Sequence, residues 1–200
     1  MVIRDRLSFD KISLPQLMIG LALMVLMAVT RGQHFASVDA LPSASWAVFF
    51  IAGIYLRSHW SFTFYMASAV LLDLSSLAAG ASIADCITPS YVALIPAYAS
   101  LWLAGRWFAQ KMTLNAVGIL RLTMAMVCGL VLAQLISSGS YYLFSGQFAN
   151  PTMAEFVERM VAYTPRRLES LAFYIGMAAC VHVISFELRR LGSRFGFSHE

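Results

Sequence analysis

Apolar residues dominate this chain in long runs, and charged positions interrupt it only at wide intervals. Uncharged stretches cover 12–30, 40–56, 86–105, 122–154 and 170–186, and a further stretch, 58–84, holds a single acid, Asp73. A hydrocarbon layer about 30 Å thick is crossed by roughly 20 mostly apolar residues in a helix, so the pattern predicts six membrane-spanning helices. The fifth run is too long for one crossing. Its later part, from Ser137 to Pro151, is rich in serine and glycine and predicts a helix exit and loop. Residues 151–167, with Glu155, Glu158 and Arg159, predict a surface amphipathic helix ahead of the sixth span. No internal repeat or low-complexity stretch is visible. The expected architecture is one all-α domain, 1–200, of six transmembrane helices.

Composition sharpens this picture. The 200 residues are 60% hydrophobic and only 12% charged, with a mean hydropathy of +0.72. Soluble chains carry about a quarter charged residues, so a soluble globular domain and a disordered tail are both excluded. The alternating strands of an outer-membrane barrel would lower the average hydropathy. The net charge is +4, but the basic residues come singly or in pairs, without the stripe that nucleic acid requires. The three cysteines form no C-x-x-C pair and imply no disulfide framework. The first run is too long for the apolar region of a signal peptide and reads as a permanent helix.

In a membrane protein, lysine and arginine report orientation first. Arg4, Arg6, Lys11, Arg57, Arg106, Lys111, Arg189, Arg190 and Arg194 fall on one side of the predicted spans. The other side has Arg31, Arg159, Arg166 and Arg167, accompanied by Asp39, Asp85, Glu155 and Glu158. The basic-rich side is expected to be cytoplasmic, with both termini inside, in a multi-pass membrane protein. The outer loops then hold 32–45, 81–89 and 137–167.

Several side chains stand out chemically. Asp73 within a span is costly and marks either a functional position or a structural partner for an arginine or tyrosine of a neighbouring helix. Cys86 precedes Thr88-Pro89, which has the form of a helix N-cap with proline at the first helical position. A helix N-terminus favours a thiolate, while the adjacent Asp85 opposes it. His34, beyond the first span on the same outer side, could bind a metal, act as a base or face water. Tyr91 lies about one turn past Cys86. Cys128 and Cys180 are expected to be packing residues within apolar helices, and Arg121 to snorkel towards the inner face. Neither an H-E-x-x-H metal motif nor a G-x-x-x-x-G-K-[ST] phosphate loop is present.

The segments GQHF (32–35), LPSASWAVFFIAG (41–53), DCITPSY (85–91) and PAYASLWLAGRW (96–107) resemble the BtuM family. These are small cobalamin transporters related to the substrate-binding S components of energy-coupling-factor transporters. The resemblance implies six helices enclosing a periplasm-facing substrate cavity, with Cys86 as axial ligand to the corrinoid cobalt. It also implies that Asp73 and Tyr91 bond polar groups of cobalamin, that His34 lines the outer mouth, and that the cysteine assists loss of cyanide from cyanocobalamin. S components that dock on a shared module resemble one another in an A-x-x-x-A pattern on the first helix. Here Met24 follows Gly20 and Leu26 follows Ala22 at that spacing, which suits a transporter working without an ATPase module. Two alternatives stay open: an S component that requires such a module, and an intramembrane thiol enzyme using Cys86 and His34. The expected partners are cobalamin and the lipid bilayer, without nucleic acid.

Overall fold

The computed structural model describes residues 13–31, 43–56, 58–78, 89–146, 148 and 150–194. Among them are six α-helices and no strand: α1 (Leu14–Arg31), α2 (Ser45–Tyr55), α3 (Trp60–Ala78), α4 (Leu94–Ala109), α5 (Ala116–Phe144) and α6 (Met153–Arg194). A short 3-10 segment, Pro89–Ala93, leads into α4. Its first residue is Pro89, as the sequence pattern predicts, whereas Thr88 lies outside the described residues.

The centre of the bundle is its shortest helix. Residues Ser45 to Gly53 of α2 are all buried, which matches a sequence that is apolar all round rather than along one stripe. Two glycines let α2 and α4 meet backbone to backbone. A Cβ on Gly53 would overlap the Trp102 carbonyl, and one on Gly105 would overlap the Phe50 carbonyl. Between these helices the Phe49 and Tyr98 rings stack at 4.3 Å and 9°. α5 joins the far side of α4, where a Cβ on Gly129 would come within 2.9 Å of the Ala104 Cβ. α6 meets the core around Leu168–Ala178: among its described residues only Leu171, Tyr174 and Ile175 are buried, with Leu168 and Ala178 packed partly buried against the same core.

The exterior is apolar as well. α1 turns Leu23, Met27 and Thr30 inward while Leu17, Leu21, Val25 and Val29 project outward. In water that outer stripe would be polar; here it suits lipid. Four helices, α1, α3, α5 and the Met153–Leu188 part of α6, are long and apolar enough to cross a membrane, and by that measure the chain is a multi-pass membrane protein. α2, with 11 residues, and α4, with 16, fall short of the roughly 20 that a crossing takes.

Three expectations fail in detail. The serines at 137–140 do not end α5, which continues to Phe144. Ser140 Oγ donates to the Ser137 carbonyl at 3.0 Å, a back-bond that accommodates serine within a helix. The exit comes instead at Gly146, whose φ of +74° is the left-handed conformation that glycine adopts readily. Residues 153–167 form no separate surface helix either. They are the first part of one 42-residue α6 with Pro165 inside it, capped by Thr152 Oγ1, which accepts from Glu155 N at 3.3 Å. Finally, Cys128 and Cys180 are exposed on the outside of the bundle rather than packed. Arg121 Nη1 donates to the Lys111 carbonyl at 3.2 Å, near the start of α5.

Candidate functional site

Polar groups from five elements converge at one end of the bundle. α1 finishes there with Arg31, α2 begins there with Ser45, and Asp73 lies near the described end of α3. Tyr91 comes from the 3-10 segment and Tyr98 from the start of α4. Arg31 Nε donates to Asp73 Oδ1 at 2.7 Å and Nη2 to Oδ2 at 2.7 Å. The third nitrogen, Nη1, donates to Ser45 Oγ at 2.9 Å and to the Tyr98 hydroxyl at 3.0 Å. Tyr91 completes the set, its hydroxyl donating to Asp73 Oδ2 at 2.6 Å.

This fork-to-fork pairing engages every nitrogen of the guanidinium and is the strong form of a carboxylate contact. The side chains of Arg31 and Asp73 are only 9% and 20% exposed, so each charge is held by its partner rather than by water. Of the two readings that the sequence leaves for Asp73, the structure shows the paired one, with both an arginine and a tyrosine. The frame is anchored locally. Thr30 Oγ1 accepts from Ala44 N at 3.1 Å, tying the end of α1 to the start of α2. Ser170 Oγ donates to the Ser43 carbonyl at 3.2 Å, and the Arg167 guanidinium lies 4.7 Å from the Trp46 ring centroid, so the middle of α6 reaches the same level.

Beside this frame, α5 and α6 enclose a cavity of about 370 Å³ whose lining includes Gln134, Ser137, Tyr142, Arg159, Tyr163 and Arg167. Gln134 is almost wholly buried, and its Oε1 has no hydrogen-bond partner. An orphaned buried acceptor costs about 1–3 kcal/mol. Arg159 pairs with Glu155 at 3.0 Å and lies 4.5 Å from the Phe148 ring centroid. A second, larger cavity of about 600 Å³ lies at the opposite end, lined by Ile51, Ile54, Phe108, His182 and neighbours. Among the described residues, the end expected to face outward therefore holds the smaller of these two spaces.

Asp73 and Tyr91 are thus brought together, while Cys86 and His34 lie outside the described residues. Among the described residues no three His, Cys, Asp or Glu side chains gather as a metal-ligand set. Sequence reasoning missed Arg31, Ser45 and Tyr98 as parts of this frame, and Gln134 and Arg167 as parts of the cavity. One signal was available for Arg31: a basic residue ending one span and an acid inside another are natural partners in lipid. Nothing comparable marks Gln134. Compared with known proteins, the chain matches no protein-family model and no curated protein.

Proposed function

We propose that this chain is a small transporter that binds cobalamin at the outer end of its bundle and delivers it inward without a partner ATPase module. The observation that carries the reading is the Arg31–Asp73–Tyr91 frame. Charged and phenolic groups from separate elements are preorganised at one end of an otherwise apolar bundle, and ionisable groups kept at such a cost mark substrate pathways. Its partners Ser45, Tyr91 and Tyr98 lie in the segments 41–53, 85–91 and 96–107 that resemble the BtuM family, whereas Arg31 and Asp73 lie outside them.

Asp73 is then chiefly a positioning residue, which fixes the guanidinium of Arg31 and the phenol of Tyr91 towards the bound corrinoid. Arg159, Arg167 and Gln134 offer donors and an open acceptor to its amide and phosphate groups. A whole corrinoid is larger than the neighbouring cavity, so that space takes peripheral groups while the ring lies at the Arg31 end. Cys86, three residues before Pro89 in the chain, supplies the axial sulfur, a soft ligand suited to a late transition metal and bound as thiolate. His34 lines the mouth. The cobalt belongs to the cargo rather than to the protein.

The test is the absorption spectrum of protein purified from cells supplied with cobalamin. Red corrinoid bands near one equivalent per chain are expected, with a spectrum that shifts in Cys86→Ala. An uncoloured protein would refute the substrate assignment, and an unshifted Cys86→Ala spectrum would remove the axial role. Uptake that vanishes in a host lacking every energy-coupling module would restore the partnered S component. Covalent labelling of Cys86 that depends on His34 would favour the thiol enzyme.

A further inference from the structure

Two facing stripes of side chains line the cavity of about 370 Å³ between α5 and α6. On α5, Gln134, Ser137, Ser138 and Tyr141 follow one another at helical spacing, which puts them on one side of the helix. The helix is otherwise strongly apolar, so this stripe is where it departs from what lipid or core demands. On α6, Phe156, Arg159, Tyr163 and Arg167 answer it at the same kind of spacing. Tyr141 and Tyr163 are 45% and 57% exposed and mark where the cavity meets the surface. Tyrosines are enriched at the level of lipid headgroups.

The lining itself sets the charge. Among the described residues no acid lines the cavity. Arg159 is compensated from just outside it, donating from Nε and Nη2 to Glu155 Oε1 at 3.1 and 3.0 Å. Arg167 takes part in none of the ion pairs among the described residues. It lies over the Trp46 ring, and a guanidinium so placed still has N–H donors to offer. Gln134, 1% exposed, brings its orphaned Oε1; turned about its last torsion, the same amide presents its N–H groups there instead. One guanidinium fork satisfies a planar carboxylate. Donors from a guanidinium, an amide and two hydroxyls suit the three acceptor oxygens of a phosphoryl group better, and the aromatic rings beside them suit an organic group attached to it.

We infer that this cavity binds the phosphoryl group of an organic phosphate. Arg167, Gln134, Ser137 and Ser138 hold its oxygens, and the attached group lies against the rings of Tyr141, Phe156 and Tyr163. Two sources offer this chemistry. One is the phosphodiester of the proposed cargo, and to that extent the site rests on the cobalamin reading. The other is a phospholipid headgroup of the adjacent leaflet, which does not depend on it.

Titrating the full chain in a maltoside detergent with phenyl phosphate, read by phosphorus NMR line broadening, tests the site without any corrinoid. Saturable binding is expected, with benzoate competing about tenfold more weakly. Arg167→Gln should weaken phenyl phosphate by about tenfold or more, and Gln134→Leu by about three- to tenfold. Should Arg167→Gln fail to fold, the Ser137→Ala, Ser138→Ala pair takes its place, with a loss of about tenfold expected. Broadening that does not saturate, or one affinity shared by the native chain and these variants, would overturn the site. Benzoate bound as tightly as phenyl phosphate would overturn the phosphoryl assignment. Cobalamin that displaces phenyl phosphate makes the cargo the source, whereas displacement by a short-chain phosphatidylglycerol alone makes it a lipid headgroup. Displacement by neither would overturn the inference. A chain that binds phenyl phosphate and no corrinoid would refute the cobalamin reading and leave the phosphoryl site standing.

Discussion

The two ends of the bundle each carry an arginine–carboxylate pair, and the pairs have little else in common. Arg31 and Asp73 meet at 2.7 Å with side chains 9% and 20% exposed, and Ser45, Tyr91 and Tyr98 complete their bonds. Arg190 and Glu187 meet at 3.8 Å, three residues apart on one helix, and are more than half or half exposed. The first pair joins α1 to α3 across 42 positions of sequence, so it fixes tertiary structure. The second joins neighbours that the helix has already placed together. Charge of the same kind is architectural where water is excluded and incidental where water reaches it.

That contrast can be broken or sharpened by substitution, with unfolding in detergent as the common measurement. The largest effect is expected at the buried pair: Arg31→Ala or Asp73→Ala should each lose about 3–5 kcal/mol, because the remaining charge is stranded. The double variant Arg31→Met, Asp73→Leu should lose much less than the two singles together, and full additivity would contradict the coupling. Tyr91→Phe, which deletes one bond to the carboxylate, should lose about 1.5–3 kcal/mol. A loss this size accompanied by unchanged cobalamin retention would assign Tyr91 to structure alone. Gln134→Leu should be neutral or slightly stabilising, since it removes an acceptor that has no partner, and under the proposed cobalamin reading it should lower corrinoid retention. At the other end Glu187→Gln should change stability by less than about 0.5 kcal/mol, and a larger loss would erase the distinction between the two pairs.

The reach of the sequence follows the same division. Apolar runs locate the helices because lipid and core both demand them, and the run at 12–30 agrees with Leu14–Arg31 within a residue or two. Helix ends were harder. Ser137, Gly139 and Ser140 look like breakers in isolation, yet back-bonding and a following apolar stretch carry α5 past them to Gly146. The polar start of α6 resembles a surface helix because nothing local reveals that the helix runs on through Pro165 into the span behind it. At the site, Asp73 was conspicuous by being the only acid in its run, and Tyr91 by its spacing. Ser45 and Tyr98 were not, since a serine and a tyrosine in apolar segments acquire meaning only when folding brings a guanidinium between them. Cys128 and Cys180 show the converse: in lipid, an apolar setting does not require burial.

α6 is about 63 Å long at the usual helical rise, and it is fastened at three levels: Tyr142 bonds its start through Thr152 N and Glu155, Leu168, Leu171, Tyr174, Ile175 and Ala178 pack on the core, and the His182 ring lies 5.7 Å from that of Tyr55. Pro165 falls between the first level and the second and supplies no backbone N–H to the helix. The stretch that carries Arg159 therefore meets the core-packed stretch at a joint in the hydrogen-bond ladder rather than as one uninterrupted rod.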